Sequence, residues 1–160
     1  MQNILIVCVD ADLRKGVSKA LASKLGYVYV DIDDVLNFEL LNNQSVALTD
    51  AAKLLRELQR KSIERVLTFS KCIVTMSNDL FIANNNFMLF NEYKKIFLFL
   101  PKAYFVARGK NEDKYRMEQD LLMFDKLNKI VSLNCDICID KSVKTLDEIS
   151  NEIILNINNN

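Results

Sequence analysis

Residues 3–34 read Asn3-Ile4-Leu5-Ile6-Val7-Cys8-Val9-Asp10-Ala11-Asp12-Leu13-Arg14-Lys15-Gly16, then Val17-Ser18-Lys19-Ala20-Leu21-Ala22-Ser23-Lys24-Leu25-Gly26-Tyr27-Val28-Tyr29-Val30-Asp31-Ile32-Asp33-Asp34. The opening apolar run has no polar alternation. A strand that is apolar on both sides is buried on both faces, as in a parallel sheet. Leu13, Val17, Leu21 and Leu25 then recur at helical spacing, and Gly26 stands where a helix would stop. Tyr27 to Val30 forms a second short strand, ended by Asp31-Ile32-Asp33-Asp34. Strand, helix and strand within about thirty residues make one crossover unit of a parallel sheet.

The rest of the chain continues that rhythm. Val35 to Leu41 is predicted helical, and Asn42 to Leu48 a loop. Thr49 or Asp50 can cap a long helix carrying Leu54, Leu55, Leu58, Ile63, Val66 and Leu67. Lys71 to Met76 is a third strand, Asn84-Asn85-Asn86 breaks the next segment, and Lys95 to Leu100 is a fourth strand ending at Pro101. Lys102 to Ala107 starts a helix, Gly109 to Tyr115 is polar and loop-like, and Met117, Leu121 and Phe124 share a helical face. Cys135 to Ile139 is a fifth strand. Thr145-Leu146-Asp147-Glu148 is a capping box opening a last helix. Residues 1–157 therefore read as a single three-layer α/β domain with five mostly parallel strands, and residues 158–160 as a frayed end. Ligands in such sheets sit beyond the carboxyl ends of the strands, so residues 8–16, 31–34, 76–79 and 101–108 are the places to look.

Composition narrows the chemistry. The 160 residues carry 21 Lys+Arg and 21 Asp+Glu, and the zero net charge disfavours a dedicated nucleic-acid binder. There is no His, which removes Ser-His-Asp triads, Cys-His dyads and His-based metal sites. Only three Gly leave little material for a glycine-rich phosphate loop. No apolar run reaches the roughly 18 residues of a membrane span. Met1-Gln2-Asn3 leads straight into the first strand without a basic leader, so the expectation is a cytoplasmic protein, not membrane-bound, with reduced thiols. Cys135-x-x-Cys138 invites a metal or redox reading. Strand alternation would send the two side chains to opposite faces, and no second pair exists, so no zinc is expected. Cys8 and Cys72 read as small core residues.

The order of segments resembles the shikimate kinase family, a branch of the P-loop kinase fold, over nearly the whole chain. Ala22-Ser23-Lys24-Leu25-Gly26-Tyr27 is similar to the family's A-x-x-L-G-Y stretch, and Asp31-Ile32-Asp33 to its D-x-D. Leu55-Arg56 matches its F-R pair, Val74-Thr75-Met76-Ser77-Asn78 falls on its A-T-G-G-G strand end, and Cys135-Asp136-Ile137-Cys138-Ile139-Asp140 matches its A-D-x-x-[IV]-D strand. The resemblance implies a parallel sheet of order 2-3-1-4-5 flanked by helices. It also implies roles: Asp31 near Mg²⁺ if the chain is active, Asp33 on the acceptor hydroxyls, Arg56 on the acceptor carboxylate, and Arg108 and Arg116 in a lid over the phosphates.

The family's Walker A loop, G-x-x-x-x-G-K-[ST], falls on Cys8 to Lys15. Cys8 and Leu13 stand at its glycines, Arg14 at its Lys and Lys15 at its Ser. A one-residue slip puts Lys15 at the Lys and Gly16 at the Ser. Neither register restores a loop whose glycines take φ > 0 and turn N–H groups onto phosphate, and Asp10 and Asp12 bring negative charge there. The later substrate-binding Arg falls near Leu127, with Lys126 and Lys129 beside it.

The expectation is a shikimate-kinase-like protein without ATP binding or phosphotransfer, acting as a non-catalytic binding or structural domain. It has no cofactor, and its partners are a small anionic metabolite, a second copy or another protein. The alternative is a kinase of shikimate or a similar small hydroxylated metabolite using Mg-ATP. A third reading rests on Ile4 to Val7 followed by Asp10-Ala11-Asp12-Leu13-Arg14, which resembles the opening of a receiver domain, whose sheet order is 2-1-3-4-5. Asp12, just before the apolar stripe, is expected to cap the first helix, with Asp10 as the other candidate. Asp33 and Arg56 are expected to lie close together at the carboxyl edge.

Overall fold

A computed structural model describes residues 2–43, 51–104, 114–141 and 144–159. Strand β1 (Ile4–Val7) leads to helix α1 (Ala11–Leu25), β2 (Val28–Asp31), α2 (Ile32–Asn42), α3 (Ala51–Leu67) and β3 (Cys72–Thr75). Beyond β3 come α4 (Asn78–Ile82), a 3₁₀ segment (Ala83–Phe90), β4 (Lys94–Phe99), α5 (Lys114–Asn134), β5 (Ile137–Asp140) and α6 (Leu146–Asn158). The five strands form one parallel sheet in the order β2-β3-β1-β4-β5. This is the order implied by the kinase resemblance and not that of a receiver domain.

Position in the sheet explains the strand sequences. β1 lies at the centre and β3 beside it, and every residue of both is buried. Edge strand β5 alternates buried and exposed, with Ile137 and Ile139 inward. Helices α1 and α6 pack on one another, and α2 on α3. Asn3 ties β1 to β3: its Nδ2 donates to Phe69 O at 2.7 Å, and its Oδ1 accepts from Cys72 N at 3.1 Å. No helix among the described residues is long and apolar enough to cross a membrane.

Several boundaries differ from the sequence reading. Helix α2 starts at Ile32, directly after β2, because the Asp31 side chain caps it by accepting from Asp33 N at 3.1 Å. Helix α5 starts at Lys114, so Tyr115 is helical and not part of a loop. Residues 102–104 are helical, and the remainder of that expected helix lies outside the described residues, as do the Asn42–Leu48 loop beyond Asn43 and the caps Thr49 and Asp50. The Asn84-Asn85-Asn86 break is present: Asn84 and Asn85 have φ of 51° and 56°, a left-handed conformation that Asn tolerates. Asn86 is buried and donates to Leu80 O at 2.8 Å. The capping box on Thr145 and Glu148 is complete.

Gly26 ends α1 in the left-handed region, φ 65° and ψ 34°, with its N–H on Ala22 O. A Cβ there would meet nothing within 4 Å, so a substitution is opposed by backbone conformation alone. Gly26→Ala is expected to lose about 1 kcal/mol, lowering the melting temperature by roughly 2–4 °C for a domain of this size. An unchanged thermal melt would contradict the assignment.

Candidate functional site

The carboxyl ends of β1, β2 and β3 converge on one edge, where three loops meet. The first runs from β1 to α1. Its Asp10 is the N-cap of α1 and only 7% exposed, with its Oδ1 accepting from Leu13 N at 2.9 Å. This corrects the expectation for Asp12. The helix begins at Ala11, two residues earlier than the apolar stripe suggests, so Asp12 lies in the first turn and Asp10 at the cap. A helix start exposes unpaired N–H groups and a partial positive charge, which favours a carboxylate there. The Asp10 Oδ2 also accepts from the Tyr104 hydroxyl at 3.3 Å, and Lys141 Nζ lies 5.4 Å from the Tyr104 ring centroid.

Arg14 is the least expected side chain of the site. A charged residue in a first helical turn reads as solvated, yet Arg14 is 3% exposed. Its Nη1 donates back to Cys8 O at 2.9 Å and toward Asn78 Oδ1 at 3.4 Å, while Asn78 Nδ2 donates to Val9 O at 3.0 Å. Arg14 and Asn78 together sew the β1–α1 loop to the start of α4. The Arg14 Nε is buried without a hydrogen-bond partner. Sequence reasoning misses this role because Asn78 stands 64 residues away and nothing local marks the turn back onto Cys8 O.

Lys15, the other basic residue of the loop, reaches across to β2. Its Nζ lies 2.8 Å from Asp31 Oδ2, and the Asp31 carboxylate is almost fully buried. The hydrogen bond and charge of Asp31 raise the Lys15 pKa above its ordinary value. The Tyr29 hydroxyl stands 3.3 Å from the same Asp31 oxygen and 3.2 Å from Thr75 Oγ1. Asp31 thus has both oxygens engaged, one capping α2 and one held by an ammonium. A divalent cation at Asp31 would have to displace the Lys15 ammonium from Oδ2. Gly16 faces neither: a Cβ on it would come within 3.1 Å of Leu146 Cδ1, so it lets α1 and α6 approach.

The two expected acceptor residues sit on separate features. The Asp33 Oδ2 accepts from Ser77 N, linking the β2–α2 junction to the β3–α4 loop. Arg56 lies on the exposed side of α3 and lines a cavity of about 530 Å³ with Arg60, Gln59, Asn84 and Asn85. Asp33 is not in that lining, and among the described residues no ion pair joins Asp33 to Arg56. Of the lid residues, Arg108 lies outside the described residues, and so does the side chain of Arg116 in the first turn of α5.

Cys135 and Cys138 require a second correction. Cys135 precedes β5, so strand alternation does not separate it from Cys138, and both side chains line one shallow cavity with Phe97, Phe99 and Val131. Burial pushes the Cys135 thiol up to about 12, and the Cys138 thiol also rises, chiefly through burial. Thiols held protonated are poor nucleophiles and poor metal ligands. No group of three or more His, Cys, Asp or Glu side chains able to hold a metal occurs among the described residues.

No family model matches the chain. The chain is 28% identical over 161 residues to a shikimate kinase of Persephonella marina (strain DSM 14350 / EX-H1), covering 96% of this chain and 98% of the relative. Among solved structures it is similar to the shikimate kinase of Acinetobacter baumannii in complex with shikimate. The TM-score is 0.75 at 12% identity, over 98% of this chain and 93% of that one. It is similar also to the shikimate kinase of Bacteroides thetaiotaomicron, with a TM-score of 0.74 at 13% identity and 98% of each chain covered. The chain has the shikimate-kinase-like P-loop kinase fold.

Proposed function

We propose that this shikimate-kinase-like domain has lost ATP binding and phosphotransfer and acts as a non-catalytic binding or structural domain. The observation that carries the reading is the Asp10 carboxylate on Leu13 N at the start of α1. In a phosphate-binding loop that helix start receives the anion; here a side chain of the chain itself takes the amide. Arg14 supports the same reading, because it is folded into the protein and donates to Cys8 O. So does Lys15, which is held by Asp31. The cavity beside Arg56 gives the domain a place for a small anionic metabolite.

Titration of Mg-ATP into the full chain, read by thermal unfolding, tests the proposal. A nucleotide at a hundred times its dissociation constant stabilises by about 2.7 kcal/mol, which would raise the melting temperature by roughly 5–10 °C. The expected result is no saturable shift, with or without shikimate. The second reading, a working kinase of shikimate or a similar small hydroxylated metabolite, is favoured by the 28% identity to a shikimate kinase along the full length. A saturable shift together with transfer of the γ-phosphoryl group to shikimate would establish it in place of the first.

A further inference from the structure

At the opposite edge of the sheet, where the strands begin, the ends of α1 and α6 leave a cavity of about 410 Å³. Its walls are Ile4, Leu25, Tyr27, Ile154 and Ile157, and Lys94 stands in its lining at the first residue of β4. The other lining side chains, Gln2 and Asn158, are uncharged amides, and Gln2 Nε2 is already bonded to Glu92 O at 2.8 Å. Among the described residues Lys94 is therefore the one formal charge in the lining. It is half-buried and makes no ion pair among the described residues. At the carbonyl end of α1, Ala22 O accepts from both Gly26 N and Tyr27 N.

We propose that this cavity binds a small apolar carboxylate, its hydrocarbon part against the isoleucine and leucine walls and its carboxylate on the Lys94 ammonium. The volume lies in the range of small-molecule sites, which are mostly apolar with a few placed polar groups. An ammonium beside apolar walls forms a stronger hydrogen bond to an anion than it would in open water. A cationic or neutral ligand of the same shape would leave Lys94 desolvated without a partner. The site lies at the far edge of the sheet from Asp10, Arg14 and Asp31, so its test is independent of the loss of ATP binding proposed above.

The test uses the full chain and three probes of equal length: octanoate, octylamine and octanol, below their aggregation concentrations. Displacement of a bound anilinonaphthalene sulfonate dye reports affinity, and methyl-resolved NMR reports location. The expected order places octanoate at least tenfold tighter than octylamine, with methyl shifts on Leu25, Ile154 and Ile157. Lys94→Glu is expected to weaken octanoate at least tenfold and to strengthen octylamine, and Lys94→Gln to fall between. Lys94 is half-buried at a strand start, so both variants are expected to fold, checked by circular dichroism. Ile154→Trp, which fills the cavity, is expected to abolish displacement. Equal affinity for octanoate and octylamine, an unchanged affinity in Lys94→Glu, or shifts at the carboxyl edge would each overturn the proposal.

Discussion

Arg14→Ala is expected to lower the melting temperature by about 6–12 °C. The substitution removes the donor to Cys8 O and the contact to Asn78, and it leaves a hole where a 3% exposed side chain had been. A lost hydrogen bond from a charged donor together with a buried carbonyl left unpaired amounts to about 3 kcal/mol, and each kcal/mol moves a domain of this size by roughly 2–4 °C. Arg14→Met separates packing from polarity. It keeps the stem and removes the unpartnered Nε, so about half the loss is expected. Urea melts with an unchanged denaturant slope would assign the effect to native stability. If Arg14→Ala melts within 2 °C of the parent, the side chain does not hold the loop.

Alkaline pH is expected to unfold the protein well before lysine titration would. Burial pushes the Cys8 thiol up to about 12 from an ordinary value of 9.0, against smaller lowering contributions from the Asp10 backbone and Arg14. Cys135 rises to about 12 for the same first reason, and burial also raises Cys72, Tyr29 and Tyr93. In each, the folded state holds its proton to a higher pH than the unfolded state does. Their stabilising contribution is therefore complete below about pH 9 and is lost as pH rises toward the folded values. A fully buried group such as Cys8 steepens the fall by roughly 1.4 kcal/mol per pH unit where only the unfolded state has lost its proton. Urea midpoints measured from pH 8 to 11 should drop continuously above 9. Cys8→Ala should flatten that drop, since one fully buried thiol that resists ionisation is gone. An identical slope in the variant would place the titration elsewhere.

Much of this architecture is legible from residues 3–34 alone, because a buried central strand has no face to alternate. The stretch Ile4 to Val9 therefore identifies a parallel sheet without reference to anything distant. Strand order is another matter: periodicity says nothing of which strand lies beside β1, and that expectation comes from the segment-by-segment likeness at Asp31-Ile32-Asp33, Leu55-Arg56 and Cys135 to Asp140. The site is legible only in part. Asp10 and Asp12 are both visible as caps, and choosing between them requires knowing that Ala11 already has helical geometry. Arg14 is unreadable, since its acceptors include Asn78, 64 residues away, and nothing local distinguishes a buried arginine from a solvated one. Tyr104 reaches Asp10 across 94 residues and gives no local signal either. Cys135 misleads because it stands just short of β5, where alternation does not yet apply.

The knot of Asp10, Leu13, Arg14 and Asn78 also bears on how such a chain can change over generations. Glycine at position 13 removes a side chain that is 7% exposed, a loss on the order of 2–5 kcal/mol for a buried leucine. Glycine at position 8 removes a fully buried thiol, and a shorter side chain at 14 unties Cys8 O. On the proposed loss of nucleotide binding, each of these steps toward a glycine-lined phosphate loop descends in stability before any phosphate contact exists to compensate, in a protein class with only about 5–15 kcal/mol in hand. Selection acting through a stability threshold makes the present arrangement a ratchet. On that reading a lineage leaves it only by several substitutions at once.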